Sequence, residues 1–555
     1  DNLSNTDAVA KMQSALAIRQ LVEIPEAEET FRSILPKLFE VFFSFLQEVD
    51  NDDIVSSLET VIYKFRYEIA PFAVNICTFL THNISRTLQM AEQQDGDEAH
   101  KYYLTAAECG RTIVTVLMGI RKTPQVYVPV TNVLLPYLRF ALAQEGNYDM
   151  FENCLKCLSF ITYCLPTTPY PDEIWQLLPV IVDAYYEWAA DYFSEIYPVL
   201  DNLASRDPQS LVTKGTNGKS YLEIMWRIVG YLISGKSSDP DALEALRLVE
   251  ILLQCCRGGI DHLVPEIIDR ALYHLSTADA EDLVCFSLVT FLNALFYNPL
   301  ITLKYTEEKD MTARVFERLL SVIAEDKLIV EVTDRKMVVL GLGALLQVPV
   351  NHLPASLQAA LPVIVRAQIA TLRRMQEAAL VRAAAKEKRA AAKEAAGGTA
   401  PSYEGLSFIG KHGIVDDEDE IDDDANDPYI DDDEEDDAED DKLYRLAKRI
   451  QEINGGEFAF DDDDDLDLYE EDDDHEDEVF DDENPVNKLN EVVYFVGQLQ
   501  AAMEREPGPY QQVIGSIEED ATYLPELQQR AHVIQQEEAA KAAAKANQSS
   551  GSSHC

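Results

Sequence analysis

The chain has 555 residues, 47% of them hydrophobic, and a net charge of −53. Single hydrophobic cores stop growing near ~250–300 residues, so this length calls for several domains or an extended repeat. A field this negative repels nucleic acid and anionic lipid and attracts basic proteins. No uninterrupted apolar run reaches the ~18 residues that span a membrane, so neither nucleic acid nor membrane is expected as a partner.

The first residue is Asp1 rather than Met, which reads as a processed chain or a fragment, and no signal-peptide pattern follows it. Residues 1–396 read as helix after helix, a solenoid built from hairpins. In DPDALEALRLVEILLQCCRGGID (Asp239–Asp261), Asp239 is placed to cap a helix and Pro240 suits its first turn. Leu243, Leu246, Val249 and Leu253 then mark one helical face, and Gly258 and Gly259 end the helix. Asp261 is placed to cap a second amphipathic helix carrying Leu263, Ile267, Ile268, Ala271 and Leu275. A further pair begins near Asp279, about 40 residues on, with Val284, Leu288, Phe291, Leu292 and Leu295 as its stripe.

A weak repeat runs through this region: an apolar residue, Pro, any residue, then Leu or Ile. It occurs at Leu35-Pro36, Leu135-Pro136, Leu178-Pro179, Val264-Pro265 and Leu361-Pro362. Pro136 and Pro179 are 43 residues apart and Pro179 and Pro265 are 86 apart, while the other intervals, 100 and 97, do not fit. Proline is tolerated in a first helical turn and is costly deeper in. Paired helices with a period of ~40–47 residues are the mark of HEAT and armadillo repeats, each of which buries its apolar faces only against its neighbours. The expected fold is therefore an all-α, HEAT/armadillo-like solenoid. Its long wall suits a macromolecule better than a small substrate.

The composition changes at residue 397. Residues 416–483 hold 38 acidic and 4 basic side chains, a net of −34, in two tracts, Asp416–Asp441 and Asp461–Glu483. A basic amphipathic island, KLYRLAKRI (Lys442–Ile450), lies between them. High charge with few apolar residues cannot bury enough surface to fold alone, so residues 397–483 are expected to form a linker and a disordered acidic insertion. Helical patterning returns over 484–546, where Leu489, Val492, Val496, Leu499 and Met503 form a stripe that needs a partner surface, with the end of the solenoid the nearest. Residues 547–555 read as a disordered tail.

Catalytic and metal chemistry find little support. GTNGKS (Gly215–Ser220) ends like a phosphate-binding loop, but Thr213 stands where a glycine is needed and no strand precedes it. The plain reading is a polar inter-helix loop. CLKC (Cys154–Cys157), with Cys164 nearby, lacks the second pair that a structural zinc site needs, and its residues suit one packed helical face. The odd number of cysteines, nine, and their irregular spacing read as reduced, buried thiols of a cytosolic or nuclear protein. DDDDDL (Asp461–Leu466) lacks the glycine and spacing of a calcium loop. No catalytic residues, cofactor or metal site are assigned.

The acidic tract is the candidate site. Its bland reading is a solubilising spacer. Interrupting residues such as Ile421, Tyr429, Ile430, Leu466, Leu468, Tyr469, Val479 and Phe480, and its attachment to a solenoid wall, favour a binding role. The residues assigned to contact a basic cargo are Asp431, Asp432, Asp433, Glu434, Glu435, Asp436 and Asp437, with Asp461, Asp462, Asp463, Asp464 and Asp465.

Several blocks resemble one family. IWQLLPVIVDAYYEWAADYFSEIYPVLDNL (Ile174–Leu203), ILLQCCRGGIDHLVPEIIDRAL (Ile251–Leu272), FLNALFYNPLITL (Phe291–Leu303), DRKMVVLGLGALL (Asp334–Leu346) and DDENPVNKLNEVVYFV (Asp481–Val496) resemble, in this order, the C-terminal half of importin-7 and importin-8 in the importin-β superfamily. The resemblance implies a nuclear import receptor, not an enzyme, that shuttles between cytoplasm and nucleus. It implies basic cargo such as ribosomal proteins and histones, contact with phenylalanine-glycine nucleoporins, and release by Ran-GTP acting mainly through repeats that precede this stretch. Some members of the family pair with importin-β. An acidic histone or ribosomal-protein chaperone without transport, and a helical scaffold subunit, are the alternative readings.

Overall fold

Each helix of the chain exposes one stripe and buries another, and the fold follows from where the buried stripes meet. A computed structural model describes residues 8–22, 24–48, 52–94, 97–143, 148–278, 280–395 and 484–551. The expected disorder of 397–483 and all twelve assigned acidic residues lie outside these. Of the expected tail, 547–555, residues 552–555 lie outside as well, while 547–551 continue the last helix. One compact unit is formed by Asp1–Val381 and Phe480–Cys555, and a second, Arg382–Val479, falls almost wholly outside the described residues.

Within the first unit the helices form two ladders. The first comprises α1 (Ala8–Val22), α3 (Asp52–Lys64), α5 (Asp97–Gly119), α7 (Tyr148–Cys164), α10 (Phe193–Arg206), α13 (Asp239–Cys255), α15 (Glu281–Tyr297), α18 (Val332–Leu345) and α20 (Glu491–Arg505), each packed on the next. The second runs through α2 (Glu28–Glu48), α4 (Ala73–Ala91), α6 (Pro124–Ala141), α9 (Leu177–Glu187), α12 (Tyr221–Tyr231), α14 (Val264–Thr277), α16 (Pro299–Glu308), α17 (Thr312–Glu325) and α19 (Ala355–Ala395). Short helices α8 (Asp172–Trp175) and α11 (Pro208–Thr213) fill turns, and α21 (Pro507–Ser516), α22 (Glu518–Ala521) and α23 (Leu524–Gly551) follow α20. This is the expected α-solenoid.

These five proline motifs fall in α2, α6, α9, α14 and α19, all in the second ladder, although the same pattern also occurs at Tyr197-Pro198 in α10 and Leu524-Pro525 in the last helix. Pro265 sits in the first turn as expected, but Pro36, Pro136 and Pro362 lie inside their helices. There each removes a backbone hydrogen bond, which tertiary packing must offset.

Local chemistry explains the helix ends, with two corrections. Ser238, not Asp239, caps α13: its side chain accepts from the Asp241 amide, and Asp239 and Pro240 fill the first turn. Asp261 does not cap α14, whose N-cap is Leu263; its carboxylate instead accepts from the Tyr297 hydroxyl. GTNGKS forms a two-stranded antiparallel hairpin, β1 (Gly215–Thr216) and β2 (Lys219–Ser220), turning on Asn217 and Gly218 at φ of 52° and 78°. Both central residues take positive φ, as an Asn-Gly hairpin turn requires. Ser220 then opens α12 with a capping box to Glu223.

The core is densest around α15. Leu288, Phe291, Leu292 and Leu295 are buried, together with residues on its opposite side such as Val289 and Leu283. Burying one such side chain is worth about 1.5–3 kcal/mol. Helix α18 crosses α15 at Gly341, where an added Cβ would lie 2.6 Å from the Leu292 carbonyl oxygen. Close approach of helices, rather than a tolerated defect, is the use of this glycine. Gly343 makes room for the Tyr494 ring.

Helix α20 continues the first ladder past the acidic segment, so that segment is inserted inside a repeat, between α19 and α20. Val492, Phe495, Val496 and Leu499 are buried, Phe495 being a core residue that the predicted stripe omits. The stretch Ala355–Ala384 of α19 is long and apolar enough to cross a membrane by composition alone. Yet Leu361, Ile364, Val365, Ile369 and Leu372 lie in the common core, and Arg374 donates to the Ile323 carbonyl, so α19 is a packed solenoid helix.

Candidate partner-binding wall

The first ladder carries a row of carboxylates from helix to helix. Glu59 of α3 and Glu108 of α5 are both bound by Arg111, at 3.1 Å and 2.6 Å. Glu59 also accepts from Thr115 at 2.7 Å. On α7, Glu152 pairs with Lys156 at 2.6 Å, and neighbouring Asn153 donates to the Ala107 carbonyl on α5. Next come Glu195 of α10, Glu244 and Glu250 of α13, and Asp334 of α18.

These carboxylates differ in how well they are satisfied. Burial raises the pKa of Glu108, and Arg111 opposes the rise. Burial likewise raises Glu195 and Glu244, and their mutual repulsion adds to the rise of Glu244. Glu250 is held well above the usual carboxylate range, first by burial and then by the charge of Asp334. Asp334 is pushed up to about 6 by burial. Arg247 acts on both, but its guanidinium lies over the Phe286 ring, 4.3 Å from the centroid. One buried oxygen on each of Glu195, Glu244 and Glu250 has no hydrogen-bond partner among the described residues. A buried carboxylate oxygen without a donor is costly, and a cation brought by a partner removes the cost.

The chain returns to this wall where the acidic segment ends. Asn484 donates to the side-chain oxygen of Gln254 at 2.5 Å, and Gln254 donates to Asn293 at 2.7 Å. Gln254 and Asn293 are buried, so this amide relay joins α13 and α15 to the returning chain. Val486 is buried beside it, and Lys336 donates to the Asn487 carbonyl at 3.4 Å. Gln254 lies one helical turn from Glu250 on the same face. The residues assigned from sequence are therefore not placed by the structure, but Asn484, the residue following their segment, is fixed beside the least satisfied part of the row.

Sequence reasoning missed the row itself. Its members are single acids in separate amphipathic helices, tens of residues apart, and no local pattern links them. On the second ladder a cleft of about 400 Å³ opens between α4 and α6, lined by His82, Leu88, Val133, Pro136 and Phe140. Phe140 is 45% exposed there. Six of the eight described cysteines are buried as expected, Cys77 and Cys154 fully, with thiols pushed up to about 12 by burial, while Cys164 and Cys255 are partly exposed. Among the described residues no group of three or more His, Cys, Asp or Glu is placed to hold a metal ion.

Two continuous helical ladders with an insertion inside a late repeat define an α-solenoid of the kind nuclear transport receptors use. A solved structure described as Lph2, a novel bidirectional nuclear transport receptor in S. cerevisiae, shares this fold: TM-score 0.56, 13% identity, 96% of this chain and 49% of that one. No family model matches the chain. Among curated proteins it is 30% identical over 369 residues to an importin beta-like SAD2 homolog of Arabidopsis thaliana, covering 65% of this chain and 35% of that protein. It is 27% identical over 324 residues to a probable importin-7 homolog of Dictyostelium discoideum (57% and 29%) and 23% identical over 363 residues to human importin-8 (64% and 34%). By sequence the chain is similar to homologues of the importin-7/importin-8 branch of the importin-β superfamily. It spans about a third of the length of these relatives.

Proposed function

We propose that this chain is the part of a nuclear import receptor that holds basic protein cargo, such as ribosomal proteins or histones, during Ran-dependent passage through the nuclear pore. The observation that carries this reading is the run of buried carboxylate oxygens on Glu195, Glu244 and Glu250 that no described residue satisfies. Glu195 lies on α10 and Glu244 and Glu250 on its packed neighbour α13, and a basic segment that engages those oxygens has to displace what covers them. The acidic residues Asp431–Asp437 and Asp461–Asp465 act as a second, local anion source that raises the rate of encounter. The cleft beside Phe140 is proposed to take an aromatic side chain of a phenylalanine-glycine nucleoporin. Ran-GTP acts mainly through another part of the longer receptor, with which importin-β also pairs. The activity is binding rather than catalysis, and the protein shuttles between cytoplasm and nucleus.

The test is a pull-down with a ribosomal protein or linker histone at rising salt. Three chains are compared: intact, lacking residues 416–483, and carrying Glu244→Gln with Glu250→Gln. The reading expects capture by the intact chain, a shallower salt dependence without 416–483, and weaker capture by the double variant. Equal capture by all three removes both acidic surfaces from the mechanism. Capture of cargo without any binding of phenylalanine-glycine peptides would instead describe a chaperone.

A further inference from the structure

Where the carboxylate row passes from α7 to α10, it meets a cluster of aromatic rings. Tyr148 opens α7, Trp188 ends α9 and Tyr192 directly precedes α10. The rings of Tyr148 and Tyr192 lie parallel, with centroids 5.7 Å apart and an interplanar angle of 1°. Trp188 stands edge-on to Tyr148 at 5.9 Å, and buried Phe151 backs both Trp188 and Tyr192, at 4.7 Å and 5.8 Å. Tyr148 is 48% exposed, so a large flat ring faces solvent at the edge of the wall. The surrounding charge is negative: Asp149, Glu152 and Glu195 all act on the Tyr192 hydroxyl. Lys156 pairs with Glu152, and Glu195 keeps one buried oxygen without a partner among the described residues.

We propose that Tyr148, Trp188 and Tyr192, with Asp149, Glu152 and Glu195 at their edge, form a seat for the guanidinium of an arginine on a basic partner protein. This rests on the reading that the wall takes basic partners, and it names a side chain that the wall selects. An exposed aromatic plane attracts a cation through its quadrupole, and neighbouring carboxylates accept hydrogen bonds from the same group. Guanidinium suits such a seat better than ammonium: it is planar, weakly hydrated, and stacks while its edge donates. A purely acidic surface distinguishes the two cations less, by hydrogen-bond geometry alone. The aromatic cluster is what makes arginine the preferred occupant.

The experiment compares two peptides of equal charge, one tetra-arginine and one tetra-lysine, titrated against the intact chain by calorimetry. Quenching of Trp188 fluorescence is a second readout, and Trp188→Phe serves as its control. The intact chain is expected to favour the arginine peptide by roughly five-fold, the size of an exposed cation–π contact. Tyr148→Ala should bring that ratio close to one, and Tyr148→Phe should keep it. Tyr148 is exposed, so neither change should disturb the core. An unchanged ratio in Tyr148→Ala overturns the seat. Failure of both peptides to bind the intact chain overturns the basic-partner reading beneath it, a distinct result.

Discussion

The early and late parts of the carboxylate row are built from the same residue types on the same ladder, yet they are finished differently. Early in the row, Glu59 and Glu108 share Arg111, and Glu59 has a further donor in Thr115. Late in the row, Glu244 and Glu250 each keep a buried oxygen unsatisfied among the described residues, and Arg247 rests on Phe286 instead of closing on them. The early acids are neutralised by their own chain and serve to tie α3 to α5. The late acids are left for something else, and the amide relay at Asn484 brings the end of the acidic segment to the same place. Position in the row, not acidity alone, separates a carboxylate satisfied by its own chain from one that keeps an oxygen unsatisfied among the described residues.

The comparison is broken most severely by pH. Asp334 titrates near 6 in the fold and nearer ~3.9 unfolded, so between these values the folded chain holds more protons than the unfolded one. Stability should therefore fall as pH rises through that window. Asp334 alone accounts for about 3 kcal/mol at most, and Glu250, also raised by burial, adds in the same direction. Urea unfolding of the intact chain and of Asp334→Asn, at about pH 5 and about pH 7.5, should show the variant losing less stability between the two. A cation brought by a partner favours the charged forms, so affinity for basic partners should rise over the same range. Equal pH dependence in both chains would remove Asp334 from the account.

The next largest effect separates the two parts by affinity. Glu244→Gln with Glu250→Gln should weaken binding of a basic partner by about 10–100-fold, whereas Glu59→Gln with Glu108→Gln should change it by less than about three-fold. Isothermal titration at one fixed salt concentration decides this, and equal losses would make the row uniform. Smaller again is the relay: Asn484→Ala leaves Gln254 short of a partner and should cost roughly 1–2 kcal/mol of stability. A midpoint shift in urea, with an unchanged slope, is the expected signature.

How much of this the sequence disclosed depends on the range of the signal. Helix faces, glycine ends and the placing of Gly341 were readable because each is decided within a few residues. The ladder assignment was half readable: the five motifs of the weak repeat fall in second-ladder helices, but the same pattern at Tyr197-Pro198 and Leu524-Pro525 does not, and only the intervals from Pro136 to Pro265 keep the period. Asp261 was misread because its partner, the Tyr297 hydroxyl, lies on another helix. The carboxylate row was not readable at all, since Glu108, Glu195, Glu250 and Asp334 become neighbours only after the ladder is stacked. The acidic segment, the loudest feature of the sequence, drew attention away from these single acids.

The smallest prediction converts one part of the row into the other. Arg111 is largely exposed, so its pairs with Glu59 and Glu108 are screened, and their loss should cost no more than about 1 kcal/mol. Arg111→Gln keeps a polar, though shorter, side chain and removes the cation that opposes the rise in the Glu108 pKa. Two carboxylates would then face each other without a cation in contact, whereas Glu250 and Asp334 keep the charge of Arg247 nearby. If the lack of a contacting internal cation is what makes the late acids a binding surface, the variant should bind basic peptides about two- to three-fold more tightly, by rim-charge arithmetic. The gain should disappear when Glu108→Gln is added. A variant that loses stability without gaining affinity would show that the late acids bind by their geometry, and that charge left unpaired is not enough.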